Sequence, residues 1–345
     1  MEKQDNEMDS NANRVKTIGV KRCSKRGGSV IGQLDSGKPN AVWEDQGSML
    51  RLSVPEEFSF AENVKYLSRS SNECLSRIDN QRLYKAVPLE SGATPVMEIS
   101  AEGSEALKVR FLGGTAPSRK RDREEVARYV RDWFDLDTDL RPFYEMARRD
   151  ALLQGTVDSF YGLRNIGIPD LFEALAWGII GQQINLAFAY TLKRRLVEQF
   201  GRHVDCEGER YLVFPSARDI AGLTVQDLEG IRMTRNKSEY LLGTAQLIAS
   251  GELTKEGLRA SGGVKAAEKR LVGIRGIGPW TANYVLMRCL RMPDAFPVDD
   301  VGLQNAVKHV LGMDRKPAAK ELLAWAEGWK PWLSYSTFYL WRVLY

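Results

Sequence analysis

"LVGIRGIGPWTANYVL", Leu271 to Leu286, decides how the second half of this chain folds. Three glycines, Gly273, Gly276 and Gly278, fall within six residues, and Pro279 and Trp280 follow at once. Upstream, Val264, Ala267 and Leu271 are spaced three and four apart and mark one face of a short helix. Gly273 ends that helix, and Pro279 suits the first position of the next, where its missing N–H costs nothing. The "GIRGIG" between them must turn tightly; glycine permits positive φ there and lets another backbone approach closely. The spacing predicts a helix–hairpin–helix over residues 271–282, with backbone N–H groups converging at a helix N-terminus. Such a turn holds a phosphate without any side-chain charge. A glycine-rich helix end before an ordinary helix start would use the same residues. The full pattern L-x-G-I-x-G-I-G-P-W-T-A is much narrower than an isolated glycine run, and that favours the hairpin.

The rest of the composition bounds what such a hairpin can serve. A chain of 345 residues is long enough for two or three domains, each with its own core. Hydrophobic residues at 43% and charged residues at 27% are ordinary for a globular protein. A net charge of +4 leans mildly towards polyanionic partners. No run of eighteen apolar residues offers a membrane span, and the N-terminal "MEKQDNEMDSNANR" is too polar for a signal peptide. Cys23, Cys74, Cys206 and Cys289 are far apart, without CxxC spacing, and only His203 and His309 could join them. That pattern argues for free thiols in a reducing compartment and against a Cys/His metal centre.

Residues 1–45 are polar and rich in Gly and Ser, and read as a disordered leader. Their basic stretch "VKTIGVKRCSKRGG" is either a phosphate-contacting arm or an inert tail. From Met49 to Leu112, "MLRLSV", "RLYKAVPL", "PVMEIS" and "ALKVRFL" alternate as half-buried strands do, and "FSFAENVKYLSRSSNECL" has helical spacing. This predicts a small antiparallel sheet with one helix, an α+β domain over 46–135. After Ser118 the pattern is helical almost throughout, which predicts an all-helical body at 136–345. Ile184, Phe188, Leu192, Leu196 and Phe200 lie four apart, and Gly201 is placed to end their helix.

"FEALAWGIIGQQI" at 172–184, the hairpin, "FPVDD" at 296–300 and "WKPWLSY" at 329–335 occur in one order. In that order the chain resembles the helix–hairpin–helix DNA glycosylases whose hairpin is followed by a Gly/Pro-rich loop and an aspartate. The subgroup it is similar to is the 3-methyladenine-DNA glycosylase II (AlkA) type, from Met49 to Tyr345. The resemblance implies a mainly α fold: a glycosylase body of two helical subdomains, preceded by a small antiparallel-sheet domain of the AlkA N-terminal type. It further implies a monofunctional hydrolase of N-glycosyl bonds, active in base excision repair. Such an enzyme flips alkylated purines of 3-methyladenine or 7-methylguanine type out of double-stranded DNA and leaves an abasic site. A cytoplasmic, nucleoid-associated monomer that requires no cofactor goes with that resemblance.

Asp299 and Asp300 stand just before an apolar run ending at Gly312, where an aspartate is an ordinary N-cap. Breaking an N-glycosidic bond, however, develops positive charge on the sugar, which a fixed carboxylate stabilises. The family pattern makes the second aspartate catalytic, hence Asp300, with Asp299 as the alternative. Trp280 stands where bifunctional relatives carry a lysine, so no Schiff base can form. Trp280, Tyr284, Trp332, Tyr335, Phe338 and Trp341 crowd the hairpin helix and the tail, and half or more should be core. By the family's pattern Tyr284 and Trp341 wall the base pocket with Trp280 beside them. Electron-rich ring faces there would attract a cationic alkylated purine by ~0.5–2 kcal/mol.

The loop "GQQI" matches the family's wedge loop, so Gln182 or Gln183 fills the gap left by a flipped base; the matching residue is Gln183, where the familiar pattern has leucine. Gly273, Gly276 and Gly278 would meet the DNA backbone. The resemblance also implies a Na+ or K+ ion on the main-chain carbonyls of Val272, Ile274 and Ile277. Two other readings stay open: a non-catalytic DNA-binding module, and a glycosylase for oxidised or mismatched bases.

Overall fold

The computed structural model describes residues 42–344, which lie within one compact unit. The basic stretch of the leader and Cys23 fall outside the described residues. The chain opens with β1 (Trp43–Asp45), β2 (Met49–Ser53), α1 (Phe60–Leu67), β3 (Arg77–Asp79), β4 (Arg82–Ala86), β5 (Val96–Glu102) and β6 (Ala106–Phe111). These strands form one antiparallel sheet in the order β1-β2-β6-β5-β4-β3. Register explains its strength. Leu50, Val109, Ile99 and Leu83 are direct cross-strand neighbours on four successive strands, and all four are fully buried. The two short strands β1 and β3 carry no alternation long enough to read, and β1 lies inside the stretch expected to be leader. Helix α1 starts at Ser59, whose hydroxyl accepts the Glu62 N–H at 3.3 Å, and stops at Leu67, short of the helical spacing that runs on to Leu75.

The helical part comprises α2 (Lys120–Phe134), α3 (Arg141–Ala147), α4 (Gln154–Ser159), α5 (Leu171–Ile180) and α6 (Leu186–Phe200). After a hairpin of β7 (Arg202–Cys206) and β8 (Glu209–Val213) come α7 (Ala217–Ala221), α8 (Arg235–Ala249), α9 (Lys255–Arg259), α10 (Val264–Val272) and α11 (Pro279–Arg288). α12 (Val301–Val310), α13 (Ala319–Ala326) and α14 (Leu333–Arg342) complete it. The β7–β8 hairpin corrects the expectation of an all-helical body. Glu207 and Gly208, at φ 52 and 80°, supply the two left-handed residues of a tight hairpin turn, and "RHVDC" and "ERYLV" are too short to stand out between long helices.

Two cores divide the helices. One joins the sheet to α2, α3, α10, α11 and α14; the other holds α6, α7 and α8. α5 belongs to both. Only Glu173 and Trp177 of its ten residues are not buried, as befits a helix apolar on all sides. Asp170 caps α5 by accepting the Glu173 N–H at 2.7 Å, and Asn185 caps α6 by accepting the Phe188 N–H at 2.8 Å, so residues 181–185 form a sharp loop between them. Gly201 ends α6. Among the described residues no helix is long and apolar enough to cross a membrane.

Candidate active site

Ala267 and Leu271 bury the apolar face of α10, and Pro279 occupies the first turn of α11. Of the three hairpin glycines only Gly276 is left-handed, at φ 89°; Gly273 continues the helical turn at −65° and Gly278 caps α11 at −87°. A Cβ on Gly276 would lie 2.1 Å from the ring of Tyr240 on α8. The close approach that glycine allows is therefore to a side chain, not to another backbone. The Gln182 side-chain amide donates to the Gly276 carbonyl at 2.9 Å and to the Thr281 hydroxyl at 3.2 Å, tying the 181–185 loop onto the hairpin. Gln183, one residue on, is exposed and left-handed at φ 55°.

Past α11 the chain turns back through "FPVDD" to start α12. Asp300 caps that helix, and its Oδ1 accepts the Leu303 N–H at 2.6 Å. The same Oδ1 accepts the indole N–H of Trp341 at 2.7 Å, and Oδ2 accepts that of Trp280, also at 2.7 Å. The capping role and the pocket carboxylate thus fall on one residue, 8% exposed, whereas Asp299 is exposed on the rim. Gly302 makes the geometry possible: a Cβ there would come within 2.9 Å of Asp300 Oδ1 and 3.3 Å of the Trp341 ring. Three donors on a carboxylate with about four acceptor sites leave one open.

Trp280 stacks on Tyr284 at 5.6 Å between centroids and 27°, and Tyr284 faces Trp341 at 6.1 Å and 32°. With Asp300 they line a cleft of about 1140 Å3 that also takes in Gln182, Gln183 and the whole hairpin turn. Burial pushes the Tyr284 hydroxyl up to about 12 against the opposing charge of Arg288, so it is a neutral phenol at pH 7. Arg288 donates to that hydroxyl at 3.2 Å and to the Ile166 carbonyl at 2.7 Å.

Trp332, Tyr335 and Phe338 do not line the cleft. Trp332 and Tyr335 pack on Phe143, the Tyr335 hydroxyl bonds Asp135, and Phe338 lies between Tyr66 and Trp341. Val272, Ile274 and Ile277 all sit at the cleft wall. Four further lining residues had not been singled out: Tyr66, Arg69 and Arg288, which no motif marks, and Trp177, which lies within the 172–184 motif. Tyr66 and Arg69 come from α1 and the turn after it, so the N-terminal domain completes the site. Among the described residues none that lines the cleft is a lysine, and no His, Cys, Asp and Glu cluster could hold a metal ion.

Residues 176–331 match the family described as HhH-GPD superfamily base excision DNA repair protein, and residues 48–175 match the 8-oxoguanine DNA glycosylase N-terminal domain. The two matches meet inside α5; the boundary expected from sequence lies at residue 135. A DNA-3-methyladenine glycosylase of Bacillus subtilis is 50% identical over 304 residues, spanning 88% of this chain and 100% of the relative. The fold is shared with a 3-methyladenine DNA-glycosylase from Archaeoglobus fulgidus, with a TM-score of 0.71 and 23% identity over 84% of this chain and 96% of that one. It is shared too with a Clostridium acetobutylicum 8-oxoguanine glycosylase/lyase in complex with double-stranded DNA, with a TM-score of 0.68 and 20% identity over 87% and 96%. By the hairpin, by the matched regions and by its identity to a full-length relative, the chain belongs to the HhH-GPD superfamily of base excision DNA repair proteins, in its DNA-3-methyladenine glycosylase branch.

Proposed function

We propose that this protein is a monofunctional DNA glycosylase that draws an alkylated purine, of 3-methyladenine or 7-methylguanine type, out of double-stranded DNA and hydrolyses its N-glycosidic bond. The observation that carries this reading is Asp300, held by three donors at the wall of an aromatic cleft that no lysine lines among the described residues. A binding module needs neither the carboxylate nor the cleft. As the C1′–N bond breaks, positive charge grows on the deoxyribose, and a carboxylate already fixed in place stabilises it without reorganisation. The open acceptor site on Asp300 is available to orient the attacking water. The rings of Trp280, Tyr284 and Trp341 offer the base an aromatic wall, and their attraction for a cation of ~0.5–2 kcal/mol favours methylated purines over normal ones. With Trp280 in place of an amine, the product is an abasic site and the strand stays intact.

Double-stranded DNA would lie across the hairpin, its phosphate at the N–H groups that start α11. Gln183 is the better wedge of the two glutamines, since Gln182 is committed to Gly276 and Thr281. Flipping costs a few kcal/mol, least for a weakly paired damaged base. The hairpin also suits a Na+ or K+ ion. Val272 ends α10, where carbonyls lack intrahelical donors, Ile274 accepts one N–H at 3.0 Å, and the Gly276 carbonyl is already taken by Gln182. Bound there, the ion would offset phosphate charge and take no part in the reaction. We place the enzyme in the cytoplasm with the nucleoid, as a monomer.

Base release from methylated duplex DNA, by wild type and by Asp300→Asn, tests the reading. Free methylpurine from wild type alone, with strand breaks only after alkali, is the expected result. Strand breaks without alkali would contradict the monofunctional reading. Duplex binding without release would leave a binding module, and release from an 8-oxoguanine duplex alone would move the substrate to oxidised bases.

A further inference from the structure

The cleft is charged at both ends, with opposite sign. Asp300 is the anionic end. The opposite end is a floor of Tyr66, Arg69, Trp177, Tyr284 and Arg288, which also wall a smaller inner cavity of about 60 Å3 that Asp300, Trp280 and Trp341 do not touch. Tyr284 joins the two ends: its ring stacks on Trp280, which bonds Asp300, and its hydroxyl meets Arg288.

The floor carries a surplus of positive charge. In the inner cavity Glu73 and Glu173 are matched by Lys85 and Lys193, and Lys193 pairs with both acids at 3.3 Å. Glu73 further accepts the N–H groups of Cys74 and Leu75 at 2.9 and 2.8 Å. Neither Arg69 nor Arg288 enters a salt bridge with those acids. Arg288 is 3% exposed and donates to Ile166 and Tyr284. Arg69 is only partly buried; its guanidinium lies 3.9 Å from the centroid of Tyr66 and one nitrogen donates to the Tyr66 carbonyl at 2.9 Å. A guanidinium carries five N–H donors and stays charged, so Arg69 has donors left for a base.

We propose that Arg69 is a specificity-determining residue, whose guanidinium stabilises a neutral damaged purine as it leaves and disfavours a base that is already cationic. The inference rests on the glycosylase reading of the same cleft. When the C1′–N9 bond of a neutral nucleoside breaks, the electron pair goes to the base, so the sugar turns positive and the base negative. Water oxygen then bonds C1′, one of its hydrogens stays on the new sugar hydroxyl, and the other proton ends on the base. The cleft holds an anion for the sugar and a cation for the base, which is the polarity of that charge separation. A methylated cationic purine instead becomes neutral as it leaves. Arg69 gives it nothing in the transition state and repels it on the way in.

The experiment is release of a single 7-methylguanine or a single hypoxanthine from otherwise identical duplexes, by wild type, Arg69→Gln and Arg69→Lys. Single turnover and half-saturation are measured separately. Arg69→Gln is expected to slow hypoxanthine release ~10- to 100-fold in the bound complex, and 7-methylguanine release far less, within roughly threefold, with a lower half-saturation for the cationic base. Arg69→Lys keeps the charge and should keep the wild-type ratio of the two substrates within roughly tenfold. Equal loss on both substrates in Arg69→Gln would make Arg69 a packing residue and overturn the proposal. So would a wild type that releases 7-methylguanine and no hypoxanthine. A wild type that releases neither base defeats the glycosylase reading first. Should Arg69→Gln not fold, a changed ratio in Arg69→Lys, judged at matched thermal stability, decides against the proposal in the same way.

Discussion

The carboxylate end of the cleft and its floor are built in different ways. Asp300 is fixed by direct hydrogen bonds from α11, α12 and α14, all within the last 66 residues, since Trp280 to Tyr345 includes every donor it uses. The floor is assembled across the whole chain, from the turn after α1, from α5 and from the end of α11. It is steadied at a distance by Lys193 of α6, which pairs with Glu73 of the N-terminal domain and Glu173 of α5. One end is held locally and rigidly; the other depends on how the N-terminal domain docks on the helices. Damage at the first should act on the chemical step. Damage at the second should act on stability and on which base is accepted.

The largest effect belongs to the carboxylate. Asp300→Asn keeps the shape and removes the charge, and should lower the single-turnover rate by roughly 10²- to 10³-fold, about 3–4 kcal/mol of transition-state stabilisation. Asp299→Asn, on an exposed residue, should leave it within roughly threefold. Equal losses would dissolve the distinction between cap and rim. Next comes the lip between the two ends. Gly276→Ala must place a methyl group into Tyr240 at a left-handed φ, and should cost about 3 kcal/mol of unfolding stability and weaken duplex binding, as read by denaturant titration and by fluorescence anisotropy.

At the floor the test is stability against pH. Burial alone would raise the Glu73 carboxyl, but Lys193, the Leu75 N–H, Lys85 and Arg69 together bring it down to about 2 from an ordinary 4.5. A carboxyl depressed on folding contributes stability that is fully present above its unfolded value and is lost as pH falls through the folded one. Glu73→Gln should therefore cost about 2–3 kcal/mol at neutral pH, with the unpaired share of Lys193 left behind. The gap from wild type should close as pH drops from 4.5 to 2. A gap that stays constant over that window would mean the network contributes packing and little charge. Back at the carboxylate end, Trp280→Phe and Trp341→Phe each keep a ring and delete one N–H to Asp300. Each should cost about 2 kcal/mol of unfolding stability, for a hydrogen bond lost to a charged acceptor, and lower the chemical rate by roughly 10-fold as Asp300 loosens.

The same contrast governs what could be read from the chain. The hairpin, the cap aspartate and Trp280 lie within thirty residues of one another and obey local rules, so spacing alone places them near one site. Trp341 was reachable only through resemblance, because nothing local says that an indole 41 positions away will bond Asp300. Arg69 and Tyr66 were out of reach. They lie at the end of an amphipathic helix and in the turn after it, where the face reads as packing, and the rings that bring them to the site, Tyr190 and Phe338, are over 100 residues distant. The sheet was legible where strands alternate, as in β5 and β6, and lost where they shrink to three residues, as in β1 and β3. The β7–β8 hairpin hid for the same reason.

The smallest expected effect concerns the two glutamines, which share a loop and differ in commitment. Gln182 makes two hydrogen bonds to the hairpin, at 2.9 and 3.2 Å. Gln182→Ala should loosen the loop on every substrate alike and cost about 1 kcal/mol in stability. Gln183 stands exposed at φ 55°, with Leu186 and Phe188 also exposed at the start of α6. Gln183→Ala removes a side chain with no folded-state bond to lose, and leaves those two apolar residues to fill part of the gap in the duplex. Its effect should therefore be a ~2- to 5-fold slower release, seen with the lesion paired in a duplex and absent with the lesion in a single strand or opposite a mismatch, where flipping is already cheap. A loss that persists in single-stranded substrate would place Gln183 in the base cleft instead of the duplex gap, and would exchange the roles assigned to the two glutamines.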